Sequence, residues 1–345
     1  MIDFSTDYLG LTLKNPLVPS ASPLSANLDT ALRLEDAGAA ALVIRSLFEE
    51  ELHTEDVMMN HFLQHASLGH GEADGLMFAQ GERPAGLERY LEHLHHLKSR
   101  LGIPVVASLN GVSPSGWVAL GHALQQAGAD AIELNVYHVA ADARHSGASV
   151  EARYLSLLTE LRQVVSLPIV MKLSPFFSSL PHFVRQLEQA GAQGVALFNR
   201  FYQPDIDLDT LCVVDRLHLS SPDEAALRIR WLSILHGRTS LTLAATGGVA
   251  SHEEALKLLL VGADVVHLAS CLIEHGPARL TQILQGMERW MSEREYASIA
   301  QIKGSLSQQH LSDPAAMTRA SYLRVLDSVS PRPGGAETVG RLLSR

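Results

Sequence analysis

Lys172 is the residue least easily explained as packing. It stands in PIVMKLSP, an otherwise apolar run, and an ammonium buried without a partner is very costly. Two readings satisfy it: a cation at the mouth of a site, facing an anion or an electron-rich ligand edge, or an ion pair with Glu133. Asn110, Asn135 and Asn199 fall at the ends of three apolar runs. Asn is depleted in strands, so three at equivalent ends suggest a ring of amide donors and acceptors around one ligand. Local turn capping would account for any one of them alone. Tyr137 and His138 follow Asn135 closely. An imidazole titrates near neutral pH and a phenol near 10, so both are acid–base candidates. Gly247-Gly248 and Ala269-Ser270 close two further runs. Glycines let backbone N–H groups approach a phosphate and Ser270 can add a hydroxyl; the alternative is a tight turn. Arg45 and Ser22 are further candidates to touch a ligand, although Ser22 could simply begin a turn.

The elements that must position these residues recur. AGAAALVI, AGADAIEL, AGAQGVAL and VGADVVHL each carry a helical pattern into a glycine and then a strand. Glycine just past a helix supplies the left-handed conformation that stops it. The runs that follow are apolar on consecutive residues, as in parallel strands covered on both faces. Eight strands are predicted, at 16–20, 41–45, 105–109, 131–135, 169–173, 195–199, 241–246 and 265–269. Helices are predicted between them, with Ser25 capping the first and Ser251 with Glu254 forming a capping box. This is the pattern of a TIM (β/α)8 barrel, whose chemistry sits at the C-terminal ends of the strands, often with a phosphate beside the last two. A long insertion, about 47–100, follows strand two and is expected to form part of a lid or binding wall. A helical C-terminal extension, about 292–345, is expected to pack on the barrel or on a neighbouring subunit. The whole chain, 1–345, is expected to be one domain.

Composition limits the classes of function. The chain has 345 residues, 46% hydrophobic content and a formal net charge of −10. Without a basic run, nucleic acid is not an expected partner. No apolar run is long enough to span a membrane, and MIDFSTDYLG lacks the layout of a signal peptide. Two cysteines are too few for a disulfide framework or a four-cysteine cluster, so a cytoplasmic protein is expected. His61 and His65 have a spacing that could bind a metal on a helix, but no HExxH follows and no metal is expected. His93, His95 and His96 lie on one predicted helix, and His70 in the insertion; all are read as solvated or polar-packed.

With these pieces in place, the chain resembles the dihydroorotate dehydrogenase family of FMN barrels over roughly residues 3–306. The matching parts are NPLVPSAS, IELN, VMKLSP, FN, ATGGV and GADVVHLAS, in order, with EHGPARLTQIL and SIAQIKGSL after them. The resemblance implies FMN on the C-terminal face of the barrel. Gly247, Gly248, Ala269 and Ser270 would hold its phosphate, and Lys172 would stand at the N1–O2 edge of the ring. Asn110 and Asn135 would touch flavin or substrate, Asn199 the substrate, and Ala21 and Ser22 the ring. Arg45 takes the place of the family's strand-two lysine. The family oxidises dihydroorotate by moving a hydride to flavin N5 while a base removes a proton. The base position here is His138 rather than Cys or Ser, with Tyr137 as its rival. Ala140 replaces a substrate-binding Asn, and HLSSPDEA, with Ser220 and Ser221, replaces a glycine-rich phosphate loop. The flavin half of the pattern is kept and the substrate half is altered, so dihydroorotate or a related CH–CH substrate is expected.

Two other readings stay open at this point. One is a phosphate-ester lyase or isomerase without flavin, using Lys172 for Schiff-base chemistry. The other is a flavoprotein subunit of a larger redox assembly. A homodimer or a redox partner protein is expected alongside a small-molecule substrate.

Overall fold

The structure is a computed structural model and describes residues 2–49, 86–111, 117–200, 203–214 and 217–318. A short antiparallel hairpin, β1 (Thr6–Tyr8) and β2 (Leu11–Leu13), opens the chain. The strands β3 (Leu17–Pro19), β4 (Leu42–Phe48), β5 (Val105–Asn110), β6 (Ala131–Asn135), β7 (Ile169–Leu173) and β8 (Gly194–Leu197) follow. A second antiparallel hairpin, β9 (Asp205–Asp207) with β10 (Cys212–Val214), precedes the last two strands, β11 (Thr242–Thr246) and β12 (Val265–Leu268). The eight long-range strands form one all-parallel sheet in the order β3-β12-β11-β8-β7-β6-β5-β4. At its two ends the Ala40 N–H donates to the Leu17 carbonyl at 3.0 Å, so the sheet curls into a nearly closed TIM barrel.

The helices around it are α1 (Leu28–Asp36), α2 (Gly86–Arg100), α3 (Trp117–Gln126), α4 (Gly147–Arg162), α5 (Leu180–Gln189), α6 (Ala225–Leu235), α7 (His252–Leu260), α8 (Ser270–His275) and α9 (Ala278–Glu293). Two one-turn helices, α10 (Ile299–Ile302) and α11 (Ala315–Thr318), follow. Gly38, Gly128, Gly191 and Gly262, the glycines of the four repeated steps, have φ of 110°, 95°, 97° and 116°. Each occupies the left-handed region at a helix-to-strand junction, which is the reason the step recurs.

Consecutive apolar residues are needed because both strand faces are covered. Leu134, Met171, Leu173 and Leu268 belong to the layer between strands and helices, whereas Ala131, Val170, Ala196, Ala244 and Val265 line the barrel interior. Tyr8, Leu9 and Leu13 of the opening hairpin join that interior cluster and plug the barrel at the N-terminal ends of the strands.

Several expectations are corrected. β4 runs to Phe48 and shifts register between Val43 and Ser46, so Arg45 sits within a strand at an irregularity and not at its end. Ser25 does not cap the first helix: Asn27 does, its Oδ1 accepting from the Thr30 N–H. Ser25 is buried and its Oγ accepts from the Arg45 N–H at 2.7 Å. The expected capping box at Ser251 and Glu254 is present. Neither short hairpin was expected, since three-residue strands carry almost no periodicity. His61, His65 and His70 lie outside the described residues, as do 50–85 of the insertion and 319–345 of the extension. The described part of the extension packs on the barrel: the N–H groups of Gly304, Leu306 and Gln308 donate to the carbonyls of Leu259, Leu260 and Ser233. Among the described residues no helix is long and apolar enough to cross a membrane, and no group of three or more His, Cys, Asp or Glu is placed to hold a metal ion.

Candidate functional site

The inward-facing residues change character toward the C-terminal ends of the strands. Below are Ala and Val; above them come Ser108, Glu133, Lys172, His267 and Thr246, all buried. Asn110 and Asn135 follow at the ends of β5 and β6 and are cross-strand partners, as are Asn135 and Lys172. Period-two alternation puts these groups on one face because Ala131, Glu133 and Asn135 share a side of β6, and Val170 and Lys172 share a side of β7.

Lys172 is 7% exposed, and its Nζ donates to Glu133 Oε1 at 3.2 Å. The ion pair considered from the sequence is therefore formed, and it is formed at the barrel mouth. Ser108 Oγ donates to the same carboxylate oxygen at 3.3 Å and lies 2.8 Å from Ser46 Oγ. His267 Nδ1 is 3.9 Å from Glu133 Oε2, and its Nε2 is 3.4 Å from the Tyr8 hydroxyl. Burial pushes the His267 imidazole down to about 4. It also raises the Tyr8 phenol well above its ordinary value, with Glu133 adding to the effect.

Two of the three asparagines meet. Asn199 Nδ2 donates to Asn135 Oδ1 at 2.6 Å, and the Asn199 N–H donates to the Leu173 carbonyl. His138, three residues past Asn135, is half-buried. Arg153 Nη1 is 3.2 Å from His138 Nδ1. A guanidinium only donates, so Nδ1 is the acceptor and the ring proton is on Nε2, a buried atom without a hydrogen-bond partner among the described residues. Burial, then the Arg153 charge, lowers the His138 pKa below the ordinary imidazole value. Tyr137 is half-buried beside it.

A second group forms where β11 and β12 end. Gly247 and Gly248 have φ of 90° and 79°, so the chain turns here in a conformation other residues resist. The Gly248 N–H donates to Ser220 Oγ at 3.2 Å, and Ser220 Oγ donates to Ser270 Oγ at 2.9 Å. The Ser220 N–H also donates to Ser270 Oγ at 3.0 Å. A Cβ on Gly248 would run into the backbone nitrogen of Ala225, the first residue of α6. One on Gly247 would lie 2.8 Å from Arg228 Nη2. Arg228 is buried and donates from Nε to the Thr246 carbonyl at 2.9 Å. Glu224 pairs with Arg200 at 3.2 Å and approaches Arg228 at 3.8 Å. Backbone N–H groups, two hydroxyls, a helix N-terminus and a guanidinium thus converge, and this donor set fits a phosphate.

The other candidates lie around the same mouth. Ala21 packs against the barrel-interior cluster, and the Ser22 carbonyl accepts from Ser25 Oγ. Arg45 lies with its guanidinium 5.8 Å from the Tyr90 ring centre. Ala269 caps α8, its carbonyl accepting from Leu272 and Ile273. Sequence reasoning missed Arg228 and Arg153, because nothing in a helical pattern says which arginine turns inward. It also missed His267 and Tyr8, although a histidine inside VVHL carries the same signal as the lysine inside VMKL.

The family model described as Dihydroorotate dehydrogenase matches residues 4–291, and the chain belongs to that family. A protein named dihydroorotate dehydrogenase B (NAD(+)), catalytic subunit, from Thermoplasma acidophilum is 27% identical over 88% of this chain and 99% of its own length. A putative dihydroorotate dehydrogenase A (fumarate) from Aeropyrum pernix is 26% identical over 88% of this chain and 97% of its own. A catalytic subunit of the B type from Pyrococcus abyssi is 24% identical over 86% and 97%. Members of the family are oxidoreductases acting on CH–CH donors and are flavoproteins, generally with FMN. The reading of the chain as a lyase or isomerase is thereby set aside.

Proposed function

We propose that the chain is an FMN-dependent dehydrogenase that oxidises dihydroorotate or a related CH–CH substrate. The observation that carries this is the convergence of Gly248, Ser220 and Ser270 into a group of donors at the ends of β11 and β12, on the same barrel face as Lys172 and Asn135. Gly247, Gly248, Ala269 and Ser270 would hold the FMN phosphate, with Ser220 and Arg228 as further donors. Bound FMN would supply the two-electron acceptor for the substrate C–H bond. Lys172 would place positive charge against the flavin ring, where charge builds up on reduction. Asn110 and Asn135 would orient ring or substrate, and Asn199 the substrate. Ala21, Ser22 and Arg45 would border the ring on the side of the first two barrel strands.

His138 would remove the substrate proton through Nδ1. In the arrangement seen, that lone pair accepts from Arg153, so the role requires Arg153 to turn away when substrate enters. Tyr137 would be the alternative base. The relatives named as catalytic subunits support a partner protein that accepts the electrons; a homodimer is the other assembly proposed. A cytoplasmic location, consistent with only two free cysteines, belongs to the same proposal.

Cofactor release from the purified protein tests the reading: FMN is expected, and FAD, or no flavin after reconstitution, would overturn it. Anaerobic addition of dihydroorotate then decides the substrate, since bleaching of the flavin identifies it and a bound flavin that stays yellow points to a related compound.

A further inference from the structure

Glu133, His267 and Tyr8 are unused by the reading above, yet all three are at most 1% exposed. They lie among Ala196, Ala244, Val170 and Val265, where apolar side chains would be cheaper than charges. Glu133 Oε2 and His267 Nδ1 face each other at 3.9 Å and have no hydrogen-bond partner among the described residues. Such atoms in a native interior call for an explanation.

The chemistry of the groups orders their protons. The Tyr8 phenol keeps its proton, because burial raises its pKa, and so it can donate to His267 Nε2. The imidazole is neutral, because burial lowers its pKa. With Nε2 accepting from Tyr8, its single proton lies on Nδ1, 3.9 Å from Glu133 Oε2. The other carboxylate oxygen accepts from Ser108 and from Lys172. The polar groups facing Glu133 are thus Ser108 on β5, Lys172 on β7 and His267 on β12, with Tyr8 on β1 behind the histidine.

We infer that Tyr8, His267 and Glu133 form a positioning relay that holds Glu133 ionised beneath Lys172 and thereby fixes the place and the charge of the ammonium at the barrel mouth. The relay rests on the reading of that mouth as a flavin site only for its effect on flavin. Its effect on Lys172 stands without it.

The test uses the full-length protein with Glu133→Gln, His267→Leu and His267→Gln, each also combined with Lys172→Met. In the flavin-free protein labelled with 13Cε-lysine, the titration of Lys172 is followed by NMR. Glu133→Gln and His267→Leu are expected to lower its midpoint, since either change weakens the negative charge held beside the ammonium. His267→Gln keeps an N–H for the carboxylate and should stay nearer the parent. In the FMN-loaded protein, His267→Leu should lower the midpoint potential by about 30 mV or more, a tenfold change for a two-electron couple, because an ammonium that has lost its fixed place stabilises the reduced flavin less. That shift should vanish in the Lys172→Met background. An unchanged Lys172 titration, or a potential shift equally large without Lys172, overturns the relay. If the titration moves but the parent takes up no FMN, the relay stands and the flavin reading alone falls. Should Glu133→Gln not fold, the two His267 variants decide by the same criteria.

Discussion

Lys172 admitted two readings, a site cation and a partner for Glu133, and both describe the same atom: Nζ meets the carboxylate 3.2 Å away while standing at the end of the barrel where the asparagines gather. If its field serves flavin reduction, Lys172→Ala folds, retains some FMN and slows anaerobic reduction by about 10²- to 10³-fold, the usual effect of losing one preorganised electrostatic partner. A parent-like rate in stopped-flow measurements would leave Lys172 a structural role only. His138 makes a separate prediction. Its depressed pKa means that it is neutral across the neutral range, so the rate of substrate-driven flavin reduction should fall only on acidification, with an apparent pKa below 6.5. Arg153→Ala removes a nearby positive charge and should move that limb upward in pH. His138→Ala should slow the step by about 10²- to 10⁴-fold. An unchanged rate, with loss of activity in Tyr137→Phe instead, transfers the role to Tyr137.

At the scale of elements, the turn after β11 does what no single side chain could. Gly248 combines a left-handed backbone with a contact so close to the start of α6 that no side chain fits. Gly248→Ala is expected to abolish FMN retention and to lower stability by more than the roughly 1 kcal/mol that a left-handed residue costs. Gly10→Ala is the matched control: its φ is 78° but nothing lies within 4 Å of its Cβ position. It should lose about that 1 kcal/mol and keep FMN, as read by denaturation and by cofactor absorbance. Equal FMN retention in both variants would place the cradle elsewhere. The strand and helix pattern around this turn was legible because each glycine step has a fixed conformational cause. The first helix cap was misassigned because Ser25 and Asn27 are equally good caps by residue type. Only the fold turned Ser25 inward to bind the Arg45 backbone.

At the scale of the molecule, buried histidines tie stability to pH. His267 has a folded pKa of about 4 against an ordinary 6.5. Between those values the unfolded chain binds a proton that the folded protein refuses. Its contribution is therefore intact above pH 6.5 and is lost as the pH falls toward 4, by roughly 3 kcal/mol in all. His236 is also held low by burial and acts in the same direction. Urea denaturation at pH 7 and pH 4 should show a smaller acid loss for His267→Gln than for the parent. An equal loss would mean that the imidazole is not held neutral in the fold.

The sequence alone determined the repeating strand–helix unit and the barrel, because glycine stops and doubly covered strands are local properties of the chain. It also marked Lys172, the asparagines and Gly247-Gly248, since each residue type conflicts with its own surroundings unless a site is present. Tertiary structure decided the rest. It brought Glu133, Lys172, His267 and Tyr8 together from β6, β7, β12 and β1, set Arg153 against His138, and turned Arg228 under Gly247. Those contacts join residues from separate elements, and only the closing of the barrel sets the angle at which each side chain meets the next.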